Sequence, residues 1–403
     1  MNTPFIRTIT LRNYKSIAAC RIDLPNLAFL VGPNGSGKSN LMDSLRFVSD
    51  SLNTSLDHAL RDRGTVKEVR RKSGGHPNHF SIRLDFNLPD GTIGHISFRI
   101  GAKPKGKFEV QHEECRLTNP SDSLTEHFYH VRSGKVADAS FDLKPAAVPD
   151  RLFLVAASGF PEFRPAYDAL SGLEVYNLNP KEIAAMQKPD PGEMLRRDGG
   201  NLASVFEQLP SNTQKHINSY LLRIVKGLSG AETKAFGTQE TIEFRQAIKG
   251  QKHPWRFLAS SMSDGTLRSL GVLVAIFQSM GKKALKPLLV GLEEPEMALH
   301  PAAAGILLGA LRDASANTQI LVTSHSPDLL DNPDISAEAI FAVDNMDGIT
   351  RIGQIDEAGK EVLRDRLFTP GELLRQNQLA PHEGALADVT DERQLNLFEF
   401  NGR

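Results

Sequence analysis

Eight consecutive residues, Gly32-Pro33-Asn34-Gly35-Ser36-Gly37-Lys38-Ser39, carry the pattern G-x-x-x-x-G-K-[ST]. Glycines at these places let backbone N–H groups turn inward and approach phosphate oxygens with no Cβ in the way. Lys38 is expected to reach the β- and γ-phosphates of a nucleotide, and the Ser39 hydroxyl to hold Mg²⁺. Asn40, next in the chain, is grouped with the loop. Far along the sequence, Leu288-Leu289-Val290-Gly291-Leu292 delivers two adjacent carboxylates, Glu293 and Glu294. Glu293 is placed to orient Mg²⁺ through water and Glu294 to polarise an attacking water, so Glu294 is the candidate general base. His325, in Thr323-Ser324-His325-Ser326-Pro327, completes the set as a residue able to sense the γ-phosphate and hold the carboxylate. Lys38, Glu294 and His325 are thus the candidate catalytic residues.

Such groups need rigid elements beneath them. Leu27–Val31 is a short apolar run, the pattern of a buried strand, and it enters Gly32 directly. From Lys38 a helix is expected, with Leu41, Leu45 and Val48 on one face and its positive N-terminal end at the loop. Leu288–Leu292 and Gln319–Thr323 read as further buried strands, with helices expected over Leu267–Gln278 and Ala302–Ala314. Phe341–Asp344 and Thr350–Gln354 flank an Asn345-Met346-Asp347-Gly348 turn and read as a hairpin. Between about Lys103 and Gly250 prolines recur and no heptad repeat survives, which excludes a long coiled-coil arm there. Leu152–Ala156 reads as a buried strand, and Leu202–Leu209 and Ile217–Val225 as amphipathic helices. The organisation expected is therefore 1–102, first part of an α/β head; 103–250, an inserted, mainly helical subdomain; 251–345, second part of the head; and 346–403, a hairpin and tail.

The 403 residues sum to a net charge of −1, so bulk attraction to nucleic acid is excluded and any contact must be local. Two cysteines, Cys20 and Cys115, make no disulfide framework, and a reducing cytoplasm fits. Met1–Tyr14 has no apolar core of the signal-peptide kind, and no run of eighteen apolar residues offers a membrane span.

These parts, in this order, resemble the ATP-binding-cassette superfamily and, within it, the SMC, RecF and OLD-type branch. Ser263-Asp264-Gly265-Thr266, before a helix, resembles that family's signature loop, in which the serine and second glycine bind the γ-phosphate held by the opposite protomer. Ser263 and Gly265 match those positions. Leu11-Arg12-Asn13-Tyr14-Lys15-Ser16-Ile17 resembles the branch's N-terminal motif, which implies nucleotide contacts from Arg12, Asn13 and Lys15. The fold implied is an α/β ABC-type P-loop ATPase head, a mixed β-sheet lobe plus a parallel sheet with flanking helices, with the inserted subdomain replacing a coiled-coil arm. The whole chain is similar to prokaryotic stand-alone AAA-type ATPases found in anti-phage and DNA-repair settings. The resemblance implies ATP and Mg²⁺ as cofactors, a homodimer or higher oligomer closed around ATP, and a conformational output. A nucleotide-gated scaffold with negligible turnover is the alternative.

OLD-type nucleases continue into a Toprim domain. The roughly 58 residues after Asn345 are too few for one, and Asp344 and Asp347 read as hairpin-turn residues, so any nuclease is expected in trans. Where the family places a glutamine loop, this sequence has Arg61, Arg63, Lys67, Arg70, Arg71 and Lys72, a candidate DNA contact, or else a solvated loop or a nucleotide-proximal element. Gln394-Leu395-Asn396-Leu397-Phe398 resembles the bacterial sliding-clamp-binding pentapeptide. A loose tail would offer Leu395, Leu397 and Phe398 to a groove, with Gln394 at its rim; the competing reading is a segment docked on the protein's own core.

Overall fold

The computed structural model describes residues 3–73, 77–120, 125–142, 146–148, 150–280, 286–382 and 395–399. The chain opens with β1 (Ile6–Tyr14), β2 (Ile17–Asp23) and β3 (Leu27–Val31), then α1 (Lys38–Asn53), α2 (Leu56–Arg61) and α3 (Val66–Val69). Five strands follow: β4 (His79–Asn87), β5 (Ile93–Ala102), β6 (Phe108–Thr118), β7 (Glu126–Arg132) and β8 (Lys135–Ala139), before α4 (Leu154–Ala157) and α5 (Arg164–Ser171). Next come β9 (Glu174–Tyr176), α6 (Pro180–Ala184), α7 (Leu202–Gln208), α8 (Ser211–Ile224) and the meander β10 (Leu228–Phe236), β11 (Gln239–Gln246), β12 (Trp255–Leu258). Then α9 (Asp264–Phe277), β13 (Leu289–Glu293), α10 (Pro301–Ser315), β14 (Gln319–Ser324) and α11 (Pro327–Leu330) form an alternating run. The chain finishes with β15 (Ile340–Met346), β16 (Ile349–Gln354), α12 (Glu357–Arg364) and α13 (Pro370–Arg375).

Two compact units result, 1–173 with 336–365 and 377–403, and 174–335 with 366–376. In the first, the strand order is β8-β7-β6-β5-β4-β1-β2-β16-β15-β3. Neighbours from β8 to β2 pair antiparallel, and β3 lies parallel to β15 with Phe29 opposite Ile340 and Val31 opposite Ala342. The apolar face of α1, with Leu41, Leu45 and Val48 fully buried, packs with Tyr14, Phe47, Phe80 and Phe98 into an aromatic core. The second unit holds the parallel strands β14-β13-β9, whose residues are nearly all buried, and the separate antiparallel sheet β10-β11-β12. Strands hidden on both faces read as unbroken apolar runs, which is why β3, β13 and β14 are visible in the sequence.

Several expectations need correction. Residues 108–139 are three strands of the first sheet and not helices, so the segment 103–250 is mainly helical only over its middle. Leu152–Ala156 is no strand; it enters the short helix α4. The compact units also divide at residue 173/174, so the second half of the insertion lies with the carboxylate-bearing strand. Among the described residues the longest helix, α1, has 16 residues, and there is no coiled-coil arm. No described helix is long and apolar enough to cross a membrane.

Candidate functional site

The first unit carries the phosphate loop. A Cβ on Gly32 would lie 1.9 Å from the carbonyl oxygen of Val343 on β15, so only glycine fits there. Gly37, just before α1, has φ +107°, and its Cβ would meet Thr350 Oγ1 of β16 at 2.1 Å. Thr350 in turn donates to the carbonyl of Ser36 (2.8 Å) and shares a 2.6 Å hydrogen bond with Ser16 Oγ, which also accepts from Asn40 Nδ2 at 2.6 Å. The loop is thus held by β16 and by the turn between β1 and β2. Lys38 donates to the carbonyls of Gly32 (2.8 Å) and Pro33 (2.9 Å). No side chain caps α1, which leaves its first-turn amides as donors toward the loop. The buried Ser36 hydroxyl has no hydrogen-bond partner among the described residues, an orphaned polar group inside an anion-accepting loop. These features fit a nucleotide phosphate, with the exposed Ser39 hydroxyl available to a cation.

Sequence reasoning did not single out Thr350. Its signal was only a threonine at the start of a hairpin strand, and its role depends on pairing across more than 300 positions. The motif residues Asn13 (φ 53°) and Lys15 (φ 49°) make left-handed turns, and Lys15 pairs with Asp43 of α1 at 2.6 Å. Arg12 is half-buried on β1.

The basic cluster is largely structural. Arg63 is 7% exposed at its side chain and forks to Asp43 and Asp50, both at 2.9 Å, over the ring of Phe47. Burial alone would raise the Asp43 carboxyl, but Arg63 and Lys15 outweigh it and hold that group below the usual range. Arg70 donates to the carbonyl of Pro77 and forms a bridge with Tyr14, and the backbone N–H of Arg71 donates to the carbonyl of Asn13. Arg61, Lys67 and Lys72 are exposed, with Arg61 paired to Asp57 and Lys72 to Glu68. The six-residue DNA contact is therefore corrected: Arg63 is an interior ion pair, and Arg70 and Arg71 are half-buried.

The tail is corrected as well. Gln394 lies outside the described residues, but Leu395 and Leu397 are each 2% exposed and pack with Ala19. The ring of Phe398 lies 5.2 Å from that of His112 and under Arg99. Glu399 pairs with Arg83 at 2.8 Å, and its N–H donates to Glu114 Oε1 at 2.9 Å. The apolar anchors of the clamp-like pentapeptide are spent on the protein's own sheet.

The second unit carries the carboxylates, the histidine and the serine–glycine loop. β13 ends at Glu293, and Glu294 turns left-handed (φ 45°), its N–H donating to the carbonyl of Thr323 on β14 at 3.0 Å. This directs the side chain to His325, whose Nδ1 lies 3.0 Å from Glu294 Oε1. Both are partly open to solvent, as a group that must meet water requires. Glu296, unremarked in the sequence, is buried. Ser324 donates to its Oε1 at 2.5 Å, and its Oε2 has no partner among the described residues. Burial dominates and raises this carboxyl. The only hint was a third acid after Glu-Glu-Pro.

Ser263 caps α9, accepting from Thr266 N–H at 3.3 Å. Gly265 sits against the Glu294–Ala298 turn, where a Cβ would come within 2.3 Å of the Ala298 carbonyl. The serine–glycine loop and the carboxylate turn are therefore in direct contact within this unit. Beside them a cavity of about 510 Å³ is lined by Ser263, Gly265, His300, Arg223 and Lys226 among others.

Comparison with known proteins agrees with this arrangement. Residues 5–146 match the family described as "AAA ATPase domain", and residues 168–331 the family described as "AAA domain, putative AbiEii toxin, Type IV TA system". The chromosome partition protein Smc of Thermoplasma acidophilum is 33% identical over 124 residues, 30% of this chain and 10% of that protein. The DNA replication and repair protein RecF of Rhizobium meliloti is 31% identical over 128 residues, 30% of each chain. The chain thus spans less than a third of these relatives' length. Among solved structures, an Smc head bound to the C-winged helix domain of ScpA matches with TM-score 0.57 at 16% identity, over 88% of this chain and 99% of that one. An Smc head from Pyrococcus furiosus, bound to the C-terminal domain of ScpA, matches with TM-score 0.56 at 12% identity, over 91% and 100%. Each family model covers less than half of the chain, and the likeness throughout is to ATPase domains and to proteins of the Smc and RecF kind.

Proposed function

We propose that the chain binds ATP with Mg²⁺, hydrolyses it, and uses the cycle to close and open a homodimer in the cytoplasm. Lys38 exchanges the carbonyls of Gly32 and Pro33 for the β- and γ-phosphate oxygens, and Ser36 Oγ and the α1 amides complete the grip. Ser39 and Glu293 would hold the Mg²⁺, which would supply charge neutralisation at the phosphates. Glu294 orients the attacking water and accepts its proton, while His325 fixes the Glu294 carboxylate. Ser263 and Gly265 meet the γ-phosphate held by a second copy. The output is directed at DNA or a nuclease acting in trans, in genome maintenance or phage defence; the similarity to chromosome-partition and DNA-repair proteins and to a toxin–antitoxin family supports that setting.

The observation that carries the reading is the 3.0 Å contact between His325 Nδ1 and Glu294 Oε1. It pins the carboxylate of a strand-end Glu-Glu pair in a chain that also has a complete phosphate loop. Glu294→Gln removes the base and keeps the size. Turnover should fall at least a hundredfold, and an ATP-bound dimer should accumulate on size exclusion. Equal elution of mutant and wild type with ATP would count against the dimer cycle. Wild-type turnover near zero would instead favour a nucleotide-gated scaffold.

A further inference from the structure

The second unit has a surface that none of the ATP chemistry uses. Between Phe244 and Leu258 the sequence holds Arg245, Lys249, Lys252, His253 and Arg256 and no acidic residue. Every residue from Lys249 to Arg256 is exposed. At its end stands Trp255, the chain's only tryptophan, 54% exposed at the outer end of the edge strand β12. Its neighbour on the same face, Phe257, lies 6.3 Å away and leads inward to the buried Phe244, so the indole is braced on one side and open on the other.

The charge is only partly neutralised. Arg256 meets Glu243 at 3.0 Å and Arg245 meets Glu232 at 3.6 Å. Lys249 and Lys252 have no acidic partner among the described residues. The strip continues onto the end of α8: the backbone N–H of Ala247 donates to the carbonyl of Gly227, which sets the exposed Lys226 beside the β11–β12 loop.

We propose that the β11–β12 loop with Trp255 is a binding site for single-stranded nucleic acid. The cations neutralise the phosphate backbone, and an unpaired base stacks on the indole. An exposed aromatic within a surplus of positive charge suits a polyanion with planar faces. A duplex, whose bases are already stacked, has none to offer the ring. The inference deepens the nucleic-acid part of the reading above and rests on it for its biological sense only, since the contact needs no ATP.

The single tryptophan makes the test direct. The full chain, without nucleotide, is titrated with oligodeoxythymidylate while indole emission is followed, and binding of a fluorescein-labelled oligonucleotide is measured by anisotropy. Saturable quenching is expected. Trp255→Ala should weaken binding about tenfold and Trp255→Phe should restore most of it. Lys249→Ala with Lys252→Ala should weaken binding and reduce the slope of log K against log salt by about 1.4. Unchanged emission on binding, or variants that bind like wild type, would overturn the site. Stronger quenching by polyglutamate than by the oligonucleotide would assign it to an acidic protein. An emission shift on raising protein concentration alone would assign it to a second copy. Lys38→Ala keeps the oligonucleotide affinity, so an ATPase reading that fails leaves this inference standing, and the converse holds.

Discussion

Arg63 shows how a surface-looking cation becomes structural. Asp43 and Asp50 lie seven residues apart on one face of α1, and the guanidinium that follows α2 forks between them while covering Phe47. Tyr14 also donates to Asp43, so removing Arg63 leaves a poorly hydrated carboxylate with only Lys15 and Tyr14. Arg63→Ala should therefore destabilise the first unit by about 3–5 kcal/mol, read as a lower urea midpoint. Arg63→Lys should recover little, because one ammonium cannot span both carboxylates. A variant that lost DNA binding at unchanged stability would return the residue to the surface role read from the sequence. The phosphate loop and the Glu293–Glu294 pair were legible because their chemistry is local: the residues that act are neighbours in the chain. Thr350 was not, because nothing near it in sequence reports that its hydroxyl meets Ser36 and Ser16.

Among the elements, β6 is a strand whose sequence hides its own period. Opposite Arg99 and Ile100 the register shifts, with Gln111 as the extra residue. Across that bulge the buried apolar positions change from Val110 to Cys115 and Leu117, with Glu113 and Glu114 both buried, so the period-two alternation is broken midway. Glu113 is fully buried and accepts from Tyr129 Oη and from the N–H groups of Phe153 and Leu154 at the start of α4. A carboxylate 40 positions away fixes that helix start, which is why Leu152–Ala156 looked like a strand. Burial dominates over these three donors and raises the Glu113 carboxyl to about 7, above its usual 4.5. An acid whose folded pKa is raised binds its proton more tightly in the folded state, so stability falls as pH rises from about 4.5 to about 7. The loss is on the order of 3 kcal/mol once both states are ionised. Urea unfolding at pH 5 and pH 8 should show that loss in the wild type, and Glu113→Gln should flatten it.

For the whole molecule, the two units are built from interleaved stretches of chain, and the first cannot be completed by its N-terminal residues alone. β3 pairs with β15, β2 meets β16 at Thr350, and the tail residues 395–399 cover Ala19 and the cluster of Arg83, His95 and Glu114. A fragment ending at residue 335 should fail to bind ATP and should aggregate. Co-expression of residues 336–403 should restore part of the soluble, nucleotide-binding protein. Soluble, ATP-binding fragment 1–335 would show that β3 and the loop stand without β15 and β16. The overall fold was legible where the buried parallel strands β3, β13 and β14 announce themselves as apolar runs. Which distant segments close the sheet was not, since pairing partners leave no local mark.

The contact between Gly37 and Thr350 also sets a clock. At about 5–20 residues per second, the strand that braces the phosphate loop is made roughly 15–60 s after the loop itself. Until then the loop and the apolar edge of β3 wait without their partner, alongside aromatic core residues that have long since been made. During that interval the exposed edge is open to wrong pairings, and a nucleotide can reward folding only once β16 has been made.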